Sequence, residues 1–329
     1  MNDLISASPR FDVVCVGNAI MDILGAVDDA FLSTHVVEKG GMNLIDEDRA
    51  LYLTDSLEKT EMLAGGSAAN TSYGLSQLGC KAGFIGQVAQ DKIGDDFISD
   101  IEAGNVSYLG KQPEDGPATA RSIILVTPDT ARSMNTFLGS SIHLSDAHIS
   151  TDISADVIYL EGYLFDAPAG EAIFRRVVEV AHNCGAKLAV SLSDGWCVER
   201  HIDAMRNFVR DHADIVFSNQ EEFIALTGGD SDEHVNTLLQ DVDELIITHG
   251  DKGAYCYEKT GKAFWAASPT GTVVDTTGAG DLFAAGYLFA RSKGMSLEDR
   301  ARIASSCAGE IICHFGARPV QDLAKLTAA

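Results

Sequence analysis

The stretch DTTGAGD at residues 275–281 lies between two apolar segments, 272–274 and 282–289. This arrangement predicts a strand end, a turn that contains the stretch, and a buried helix after it. The first backbone N–H groups of a helix lack intrahelical partners and lie at the positive end of the helix dipole, so small side chains there let an anion bind. The small residues of this turn are Gly278, Ala279 and Gly280. Asp281 follows them, where it could simply stabilise the helix start or act as a catalytic carboxylate.

Outside this turn, apolar runs of strand length alternate with helical patterns along most of the chain. The strand-like runs are 13–17, 83–88, 157–161, 187–191, 215–218 and 244–248. The helical patterns span 68–78, 94–103, 171–184 and 198–211, begin again at Gln220, and recur twice within 279–313. The alternation predicts an α/β fold with three layers, in which helices cover both faces of a mostly parallel central sheet.

Two segments interrupt the alternation. Residues 22–62 carry short mixed runs, and the segment 118–138 contains two strand-like runs, 119–126 and 132–138, with no helix between them. Such paired runs predict a small β-rich unit beside the main sheet. The predicted small unit comprises 22–62 and 118–138, and the predicted large α/β domain comprises 1–21, 63–117 and 139–329.

The composition narrows the class of partner. The chain has 329 residues, with 24 Lys and Arg against 48 Asp and Glu, which gives a formal net charge of −24. This balance argues against a nucleic-acid or anionic membrane surface, and an anionic substrate would need backbone N–H groups or a divalent metal. The seven cysteines form no C-x-x-C pair, and no apolar run approaches the ~20 residues of a membrane span. We therefore expect a cytoplasmic protein, either a monomer or a homodimer.

The first strand ends in VGNAIMD, residues 16–22, rather than in the G-x-G-x-x-G of a dinucleotide-binding fold, and no P-loop occurs in the chain. Asn18 and Asp22 follow this strand, and open α/β sheets bind ligands beyond the carboxyl ends of their strands. An aspartate in such a position can accept two hydrogen bonds from a vicinal diol. Both residues are therefore candidates for binding a sugar ring.

The segment GGSAAN at residues 65–70 opens the next predicted helix. Gly65 and Gly66 would let the backbone approach a ligand, and Asn70 offers both a donor and an acceptor. The same segment could instead be an ordinary tight turn with Ser67 as the helix cap.

Two further segments follow predicted strands. Asn219 and Glu222 could form a capping box, or they could hold Mg²⁺ and its waters beside phosphate groups. Thr248, Gly250 and Gly253 could form a shelf for a nucleotide, or a plain hairpin turn.

Taken in order, DTTGAGD, GGSAAN, N-x-x-E at 219–222 and T-x-G-x-x-G at 248–253 resemble the motifs of the ribokinase-like (PfkB) family of carbohydrate and nucleoside kinases. The resemblance covers essentially the whole chain. VGNAIMD, GGSAAN and ARSMNTFLG at 131–139 look most like the adenosine kinase branch. Ribokinase usually has GGKGAN, and Ser67 stands here in place of its lysine, which argues against plain ribose as the substrate.

The resemblance implies a phosphoryl transfer from ATP. Asp281 would take the proton from the substrate hydroxyl, and the backbone N–H groups of 278–280 would hold the phosphate. The residues implied to position a ribose are Asn18, Asp22, Gly65, Gly66 and Asn70. The small unit would be a lid that closes over the sugar and excludes water.

The resemblance also implies two cations and a second ligand wall. Mg²⁺ would be held through water by Asn219 and Glu222. ATP would lie against Thr248, Gly250 and Gly253. K⁺ would be held by carbonyl groups and by the side chains of Asp275 and Thr277. A purine would need an apolar slot, for which the candidates are Ile20, Met42, Met134, Phe137 and Tyr163. Each of these five could equally be a core residue.

Three hypotheses follow. The chain could be an ATP-dependent purine nucleoside kinase acting on the ribose hydroxymethyl group, with adenosine as the expected substrate. It could be a PfkB sugar kinase acting on a free pentose or hexose. It could also be a non-catalytic nucleotide- or sugar-binding regulator, although such a module would not need Asp281 beside Asn219 and Glu222.

Overall fold

The computed structural model of this protein describes residues 10–129 and 131–327. The strands within these ranges are β1 (Phe11–Val16), β2 (Ile20–Ala26), β3 (Met42–Leu44), β4 (Glu61–Gly65), β5 (Ala82–Ile85), β6 (Ser107–Tyr108), β7 (Ala120–Val126), β8 (Arg132–Phe137), β9 (Ala155–Glu161), β10 (Lys187–Ser191), β11 (Ile215–Asn219), β12 (Glu244–Thr248), β13 (Ala254–Glu258) and β14 (Gly261–Trp265). The α-helices are α1 (Asp29–Thr34), α2 (Glu47–Asp55), α3 (Ser67–Gln77), α4 (Lys92–Ala103), α5 (Gly170–Cys184), α6 (Gly195–Arg200), α7 (Ile202–His212), α8 (Gln220–Thr227), α9 (Asp232–Asp241), α10 (Ala279–Ser292), α11 (Leu297–Ile311) and α12 (Leu323–Leu326).

The larger sheet has nine strands in the order β14-β13-β12-β11-β10-β9-β1-β5-β6. All its neighbouring strands pair in parallel except β13 and β14, which form an antiparallel edge. Because β1, β9, β10, β11 and β12 are parallel neighbours, their carboxyl ends meet at one edge of the sheet, where such sheets bind ligands.

Helices cover both faces of this sheet. β1 reads FDVVCV, a continuous apolar run, because it lies in the middle of the sheet and is buried on both sides. Val13 and Cys15 contribute to a core shared with α3, α10 and α11, whereas Val14 and Val16 contribute to a core shared with α5 and α7. The predicted three-layer α/β fold is therefore confirmed.

The smaller sheet has five strands in the order β3-β8-β7-β2-β4. It begins at Ile20 and includes Gly65, so its strands extend slightly beyond the predicted limits of the small unit at 22 and 62. The unit also contains the helices α1 and α2, which pack with Ile123 and Leu125 in a separate small core. We call this sheet with its two helices the lid.

Three local expectations differ from the structure. Residues 272–274 do not form a strand, because Val274 and Asp275 donate their N–H groups to the carbonyl of Ile312, beside the end of α11, rather than to a sheet. The helix expected at 198–211 is two helices, α6 and α7, which meet at His201. The helix α9 and the β13–β14 hairpin were not anticipated.

The lengths and polarity of the helices also bear on membrane insertion. Among residues 10–129 and 131–327, no helix combines the length and the apolar character needed to cross a membrane.

Candidate active site

A cleft of about 460 Å³ lies where the carboxyl ends of the central strands face the lid and the start of α10. It brings together residues that are far apart in the sequence. Its lining residues are Asp22, Gly66, Ser67, Asn70, Ile124, Met134, Tyr163, Ser191, Ser193, Phe217, Ser218, Asn219, Glu222, Ile246, Thr248, Thr276, Thr277, Gly278, Ala279, Gly280, Asp281 and Phe283.

Asp281 is held by the start of α3. The hydroxyl of Ser67 donates to Oδ1 at 2.7 Å, and the amide nitrogen of Asn70 donates to Oδ2 at 2.9 Å. Burial raises the pKa of Asp281 to about 6, although both hydrogen bonds favour the ionised form and oppose that rise. Near neutral pH the group is therefore an ionised carboxylate whose proton affinity is higher than that of an ordinary aspartate, as a general base requires.

The start of α10 has the geometry expected for binding an anion. Gly278 has a φ of 78°, in the left-handed region, and a Cβ there would lie 2.7 Å from the Cβ of Ala317. The N-cap residue of α10, Gly278, has no side chain to cap the helix, and the residues of its first turn line the cleft. Ala279 donates its N–H to the carbonyl of Thr276 at 3.2 Å, and the other backbone N–H groups of this turn are able to hold a phosphate beside Asp281.

Two residues with acceptor groups, Asp22 and Asn70, line the cleft together with Asp281. Gly66 has a φ of 101°, and a Cβ there would lie 2.1 Å from the carbonyl oxygen of Asn18, so only glycine fits. The Oδ1 atoms of Asn70 and of its neighbour Asn18 are buried and have no hydrogen-bond partner in the described part of the chain. Burial raises the pKa of Asp22, which lines the same part of the cleft, to about 7. Unpaired acceptors beside a carboxylate suit a ligand rich in hydroxyl groups.

Glu161, the last residue of β9, was not among the predicted site residues. Its carboxylate accepts hydrogen bonds from the backbone and side-chain nitrogens of Asn18, both at 2.8 Å, and from the N–H of Ala68 at 2.9 Å. Burial raises the pKa of Glu161 to about 7. The residue therefore ties the end of β1 to the start of α3. An acidic residue at the end of an apolar strand was the only signal for it in the sequence.

The lid presents an apolar face to the cleft. Ile124 on β7 pairs directly with Met134 on β8, and both line the cleft. Phe137 lies three residues beyond Met134 and therefore points to the opposite face, where it packs with the small core of the lid. The structure thus corrects the prediction that Phe137 forms part of a base-binding wall.

Other predicted wall residues differ in position. Tyr163 lines the cleft, and its hydroxyl donates to the carbonyl of Ser193 at 3.4 Å. Met42 pairs with Met134 but is 60% exposed on the edge strand β3. Ile20 and Gly65 face each other across β2 and β4 beside the cleft without lining it.

Asn219 and Glu222 form a capping box at the start of α8. Asn219 accepts the N–H of Glu222 at 2.8 Å, and Glu222 accepts the N–H of Asn219 at 2.9 Å and its side-chain nitrogen at 2.6 Å. Both residues also line the cleft, and burial raises the pKa of Glu222 to about 7. The structural and functional interpretations of this pair are therefore compatible, because the capping box holds the carboxylate at the edge of the cleft.

The segment after β12 is a hairpin connection to β13. Thr248 lines the cleft, but Gly250 and Gly253 do not. A Cβ on Gly253 would lie 2.1 Å from the carbonyl oxygen of Trp265, so packing against β14 explains this glycine without a ligand.

Asp275 has a counter-ion that the sequence did not indicate. Arg132, on the lid strand β8, forms an ion pair with Asp275 and donates to the hydroxyl of Thr277 at 2.7 Å. Asp275 also accepts the N–H groups of Thr277 and Gly316, each at 3.0 Å. Burial alone would raise the pKa of Asp275, but the hydrogen bonds it accepts hold that pKa below its ordinary value. The guanidinium of Arg132 therefore binds Asp275 and Thr277, the two side chains predicted to bind K⁺.

Comparison with known proteins identifies the family. The sequence model of the pfkB family carbohydrate kinases matches residues 10–323, and the chain belongs to this family. Among curated relatives, 5-dehydro-2-deoxygluconokinase of Bacillus subtilis (strain 168) is 25% identical over 315 residues, which cover 92% of this chain and 90% of the relative.

Two solved structures are more similar in sequence. A probable sugar kinase from Rhizobium etli CFN 42 is 39% identical with a TM-score of 0.87, covering 97% of this chain and 98% of its own. The adenosine kinase from Sinorhizobium meliloti is 38% identical with a TM-score of 0.87, covering 97% of this chain and 99% of its own. The protein is therefore a kinase that transfers a phosphate group to a hydroxyl group of a sugar or nucleoside, and the family implies ATP as the donor.

Proposed function

We propose that this protein phosphorylates the ribose hydroxymethyl group of a purine nucleoside, with adenosine as the expected substrate. The observation that carries the proposal is the pairing of two surfaces in one cleft. The carboxylate of Asp22 and the unpaired acceptor of Asn70 suit ribose hydroxyls, and the apolar side chains of Ile124 and Met134 on the lid strands line the same cleft. A nucleoside has both a polar sugar and a flat apolar base, whereas a free sugar has no use for the apolar face.

The charges of the cleft support an uncharged acceptor. Its lining includes the acids Asp22, Glu222 and Asp281, and no lysine or arginine is among the lining residues within 10–129 and 131–327. Arg132, on the same face of β8 as Met134, is already paired with Asp275. The gluconokinases among the curated relatives act, by their names, on a sugar acid, whose carboxylate would be repelled by these acids. The identity of 38% to an adenosine kinase supports the same choice.

In the proposed reaction, Asp22, Asn18 and Asn70 hold the ribose so that its hydroxymethyl oxygen lies near Asp281. Asp281 takes the proton as this oxygen attacks the γ-phosphorus of ATP, and the bond from that phosphorus to the β-γ bridging oxygen breaks. The backbone N–H groups at the start of α10 hold the transferred phosphate as its charge redistributes. The products are ADP and the nucleoside monophosphate, and the proton remains on Asp281 until solvent removes it.

The residues at the start of α8 fit a magnesium ion bound through water. Both oxygens of Glu222 already accept a hydrogen bond from Asn219. Their remaining lone pairs suit hydrogen bonds from the water ligands of the ion better than direct coordination of the ion. When bound, Mg²⁺ would neutralise the charge of the ATP phosphates. Glu222, which lines the cleft, would position the waters of the ion.

An ATP–Mg²⁺ assay with a panel of acceptors tests the proposal by measuring ADP formation. We expect adenosine, inosine or guanosine to have a kcat/KM at least ~100-fold above that of ribose, fructose and a gluconate derivative. A preference for any free sugar would instead establish the sugar kinase alternative, for which the 39% identity to a probable sugar kinase is the supporting observation. Nucleoside binding without ADP formation would establish the non-catalytic alternative.

A further inference from the structure

We propose that Arg318 is a positioning residue for the acceptor site, which fixes the backbone before the Gly65–Gly66 turn and places a positive charge near Asp22. Arg318 lies in the segment after α11, more than 250 residues from that turn, and is 11% exposed. The inference rests on the proposed function only in taking Asp22 as a ligand of the acceptor hydroxyls.

Arg318 and Asp100 together occupy both polar backbone groups of Ala64. Arg318 donates from Nη2 to the carbonyl of Ala64, and Asp100 accepts the N–H of Ala64 at 3.0 Å. The same Nη2 donates to Oδ2 of Asp100 at 3.2 Å. Ala64 directly precedes Gly65 and Gly66, so these contacts set the position of the turn that faces the acceptor.

The guanidinium also contacts the helix that carries the partners of Asp281. Its central carbon lies 3.9 Å from the ring centroid of Tyr73 on α3, a cation–π contact. Ser67 and Asn70 lie on the same helix. Nε and Nη1 of Arg318 are buried and have no hydrogen-bond partner among the residues that the structure describes. Nη2 therefore binds both Ala64 and Asp100, with which the guanidinium forms an ion pair, whereas its other two nitrogens make no hydrogen bond within the described residues.

Asp22 lies on the other side of the same turn. A Cβ on Gly65 would lie 2.4 Å from Oδ2 of Asp22, so the carboxylate packs directly against the residue that follows Ala64. The charged groups that act on Asp22 are Arg132 of β8 and Arg318, which lower its pKa, and Asp281 and Asp275, which raise it. Burial is the largest influence and brings the pKa of Asp22 to about 7. Asp22 therefore titrates close to neutral pH, where the loss of one nearby cation changes its charge.

The charge of Asp22 affects how it binds the acceptor. An ionised Asp22 accepts hydrogen bonds from two hydroxyls, whereas a protonated Asp22 has lost part of that capacity. Arg318 should thus favour acceptor binding near pH 7 without touching the acceptor, ATP or the reacting atoms.

Two substitutions test this, assayed with the best acceptor of the wild-type enzyme. Arg318→Gln removes the charge but keeps a donor for Ala64, and we expect the acceptor KM to rise about two- to fivefold at pH 7, because a smaller fraction of Asp22 is then ionised. The fall of kcat/KM for the acceptor at acidic pH should be centred at a pH higher by about half a unit or more. This acidic limb of the profile reports ionisations of the free enzyme. Arg318→Lys keeps the charge and should leave that limb in place. In both variants kcat at high pH and the KM for ATP should stay within about twofold of wild type.

Arg300→Gln is the matched control. Arg300 is 15% exposed, pairs with Glu244 and Glu258 and does not line the cleft, so it is a similarly buried, ion-paired arginine outside the acceptor site. We expect it to leave the acidic limb unmoved. An unchanged KM and limb in Arg318→Gln, or an equal shift in Arg300→Gln, would overturn the inference.

A readout without turnover separates this inference from the proposed function. The carboxyl carbon of Asp22 can be followed by NMR and assigned by its disappearance in Asp22→Asn. We expect its titration midpoint to be higher in Arg318→Gln than in wild type, and an unchanged midpoint would contradict the role of Arg318. If the wild-type enzyme phosphorylates no acceptor, the proposed function fails while this titration still decides the inference.

Discussion

Asp281 is subject to two opposing influences. Burial favours its neutral form, and the hydrogen bonds from Ser67 and Asn70 favour its ionised form. The result is a carboxylate with a pKa of about 6, which is ionised at neutral pH yet more basic than an exposed aspartate. Ser67 takes part in this balance through its hydroxyl, a role that a helix cap alone would not have required.

Asp281→Asn should lower kcat by at least about 1000-fold, because the amide keeps the shape of the turn but cannot accept the proton. ATP affinity, measured by titration calorimetry, should change little. A variant that retains more than about a tenth of the wild-type kcat would exclude Asp281 as the base.

The pH dependence of kcat in the wild-type enzyme provides a second test of Asp281. The base acts in its ionised form, so kcat should be full above the pKa and fall as the pH drops through about 6. Initial rates at saturating substrates across this range measure the limb. A kcat that stays constant down to pH 5 would contradict the assignment.

At the scale of the element, successive side chains of the lid strands β7 and β8 point alternately to the cleft and to the small core of the lid. Ile124 and Met134 face the cleft, whereas Ile123, Leu125 and Phe137 face the small core formed with α2. Arg132 lies on the cleft face at the start of β8 and reaches the DTTGAGD turn. One strand of the lid thus carries both an apolar side chain that lines the cleft and an ionic contact to the DTTGAGD turn.

Met134→Ala should raise the KM for adenosine by about tenfold, since most of a buried apolar contact is lost. Phe137→Ala is the matched control on the same strand, because it points away from the cleft. It should leave that KM within about twofold and lower the midpoint of thermal unfolding. If Phe137→Ala instead gave the larger rise in KM, the assignment of the two faces would be wrong.

Arg132 also bears on the expected K⁺ dependence. The guanidinium places a positive charge on Asp275 and Thr277, so a second cation at these side chains would be repelled. We expect less than about a twofold difference between rates in KCl and in tetramethylammonium chloride at equal ionic strength. A several-fold activation specific to K⁺ would contradict this expectation. It would show that K⁺ replaces the guanidinium of Arg132 at Asp275 during turnover.

On the scale of the whole molecule, a buried polar network joins the central sheet to the helices on one face. Glu244 accepts hydrogen bonds from the hydroxyl of Tyr287 and from Nε of Arg291, both at 2.6 Å. Arg300 donates to Glu244 at 3.1 Å and to Glu258 at 2.6 Å. The network connects β12 and β13 to α10, the helix that carries Asp281, and to α11. It lies outside the cleft and so supports the position of α10 without taking part in the reaction.

Glu244→Gln should lower the free energy of unfolding by about 3 kcal/mol, because two largely buried arginines lose their shared carboxylate. Urea denaturation followed by tryptophan fluorescence and circular dichroism measures this loss. Asp211→Asn, which removes an exposed pair with Arg210, should leave the denaturation midpoint unchanged. Equal effects of the two substitutions would mean that the buried network contributes no more than a surface ion pair.

The sequence by itself determined the features that depend on residues close together in the chain. The alternation of apolar runs and helical patterns predicted the three-layer α/β fold, because burial on two faces leaves a continuous apolar strand. DTTGAGD predicted a helix start that is open to an anion, with Asp281 in its first turn. These features arise from backbone geometry and local periodicity, which a single segment carries without reference to the rest of the chain.

Only the tertiary structure decided which distant residues meet. Glu161 binds Asn18 across 143 positions, Arg132 reaches Asp275 across 143 positions, and Arg318 reaches Ala64 across 254 positions. No local pattern predicts which of these residues pair, because each contact depends on strand order and on how the lid and the C-terminal segment pack. The face of Phe137 was decided in the same way, since a strand's alternation defines two faces but only packing determines which one meets the cleft.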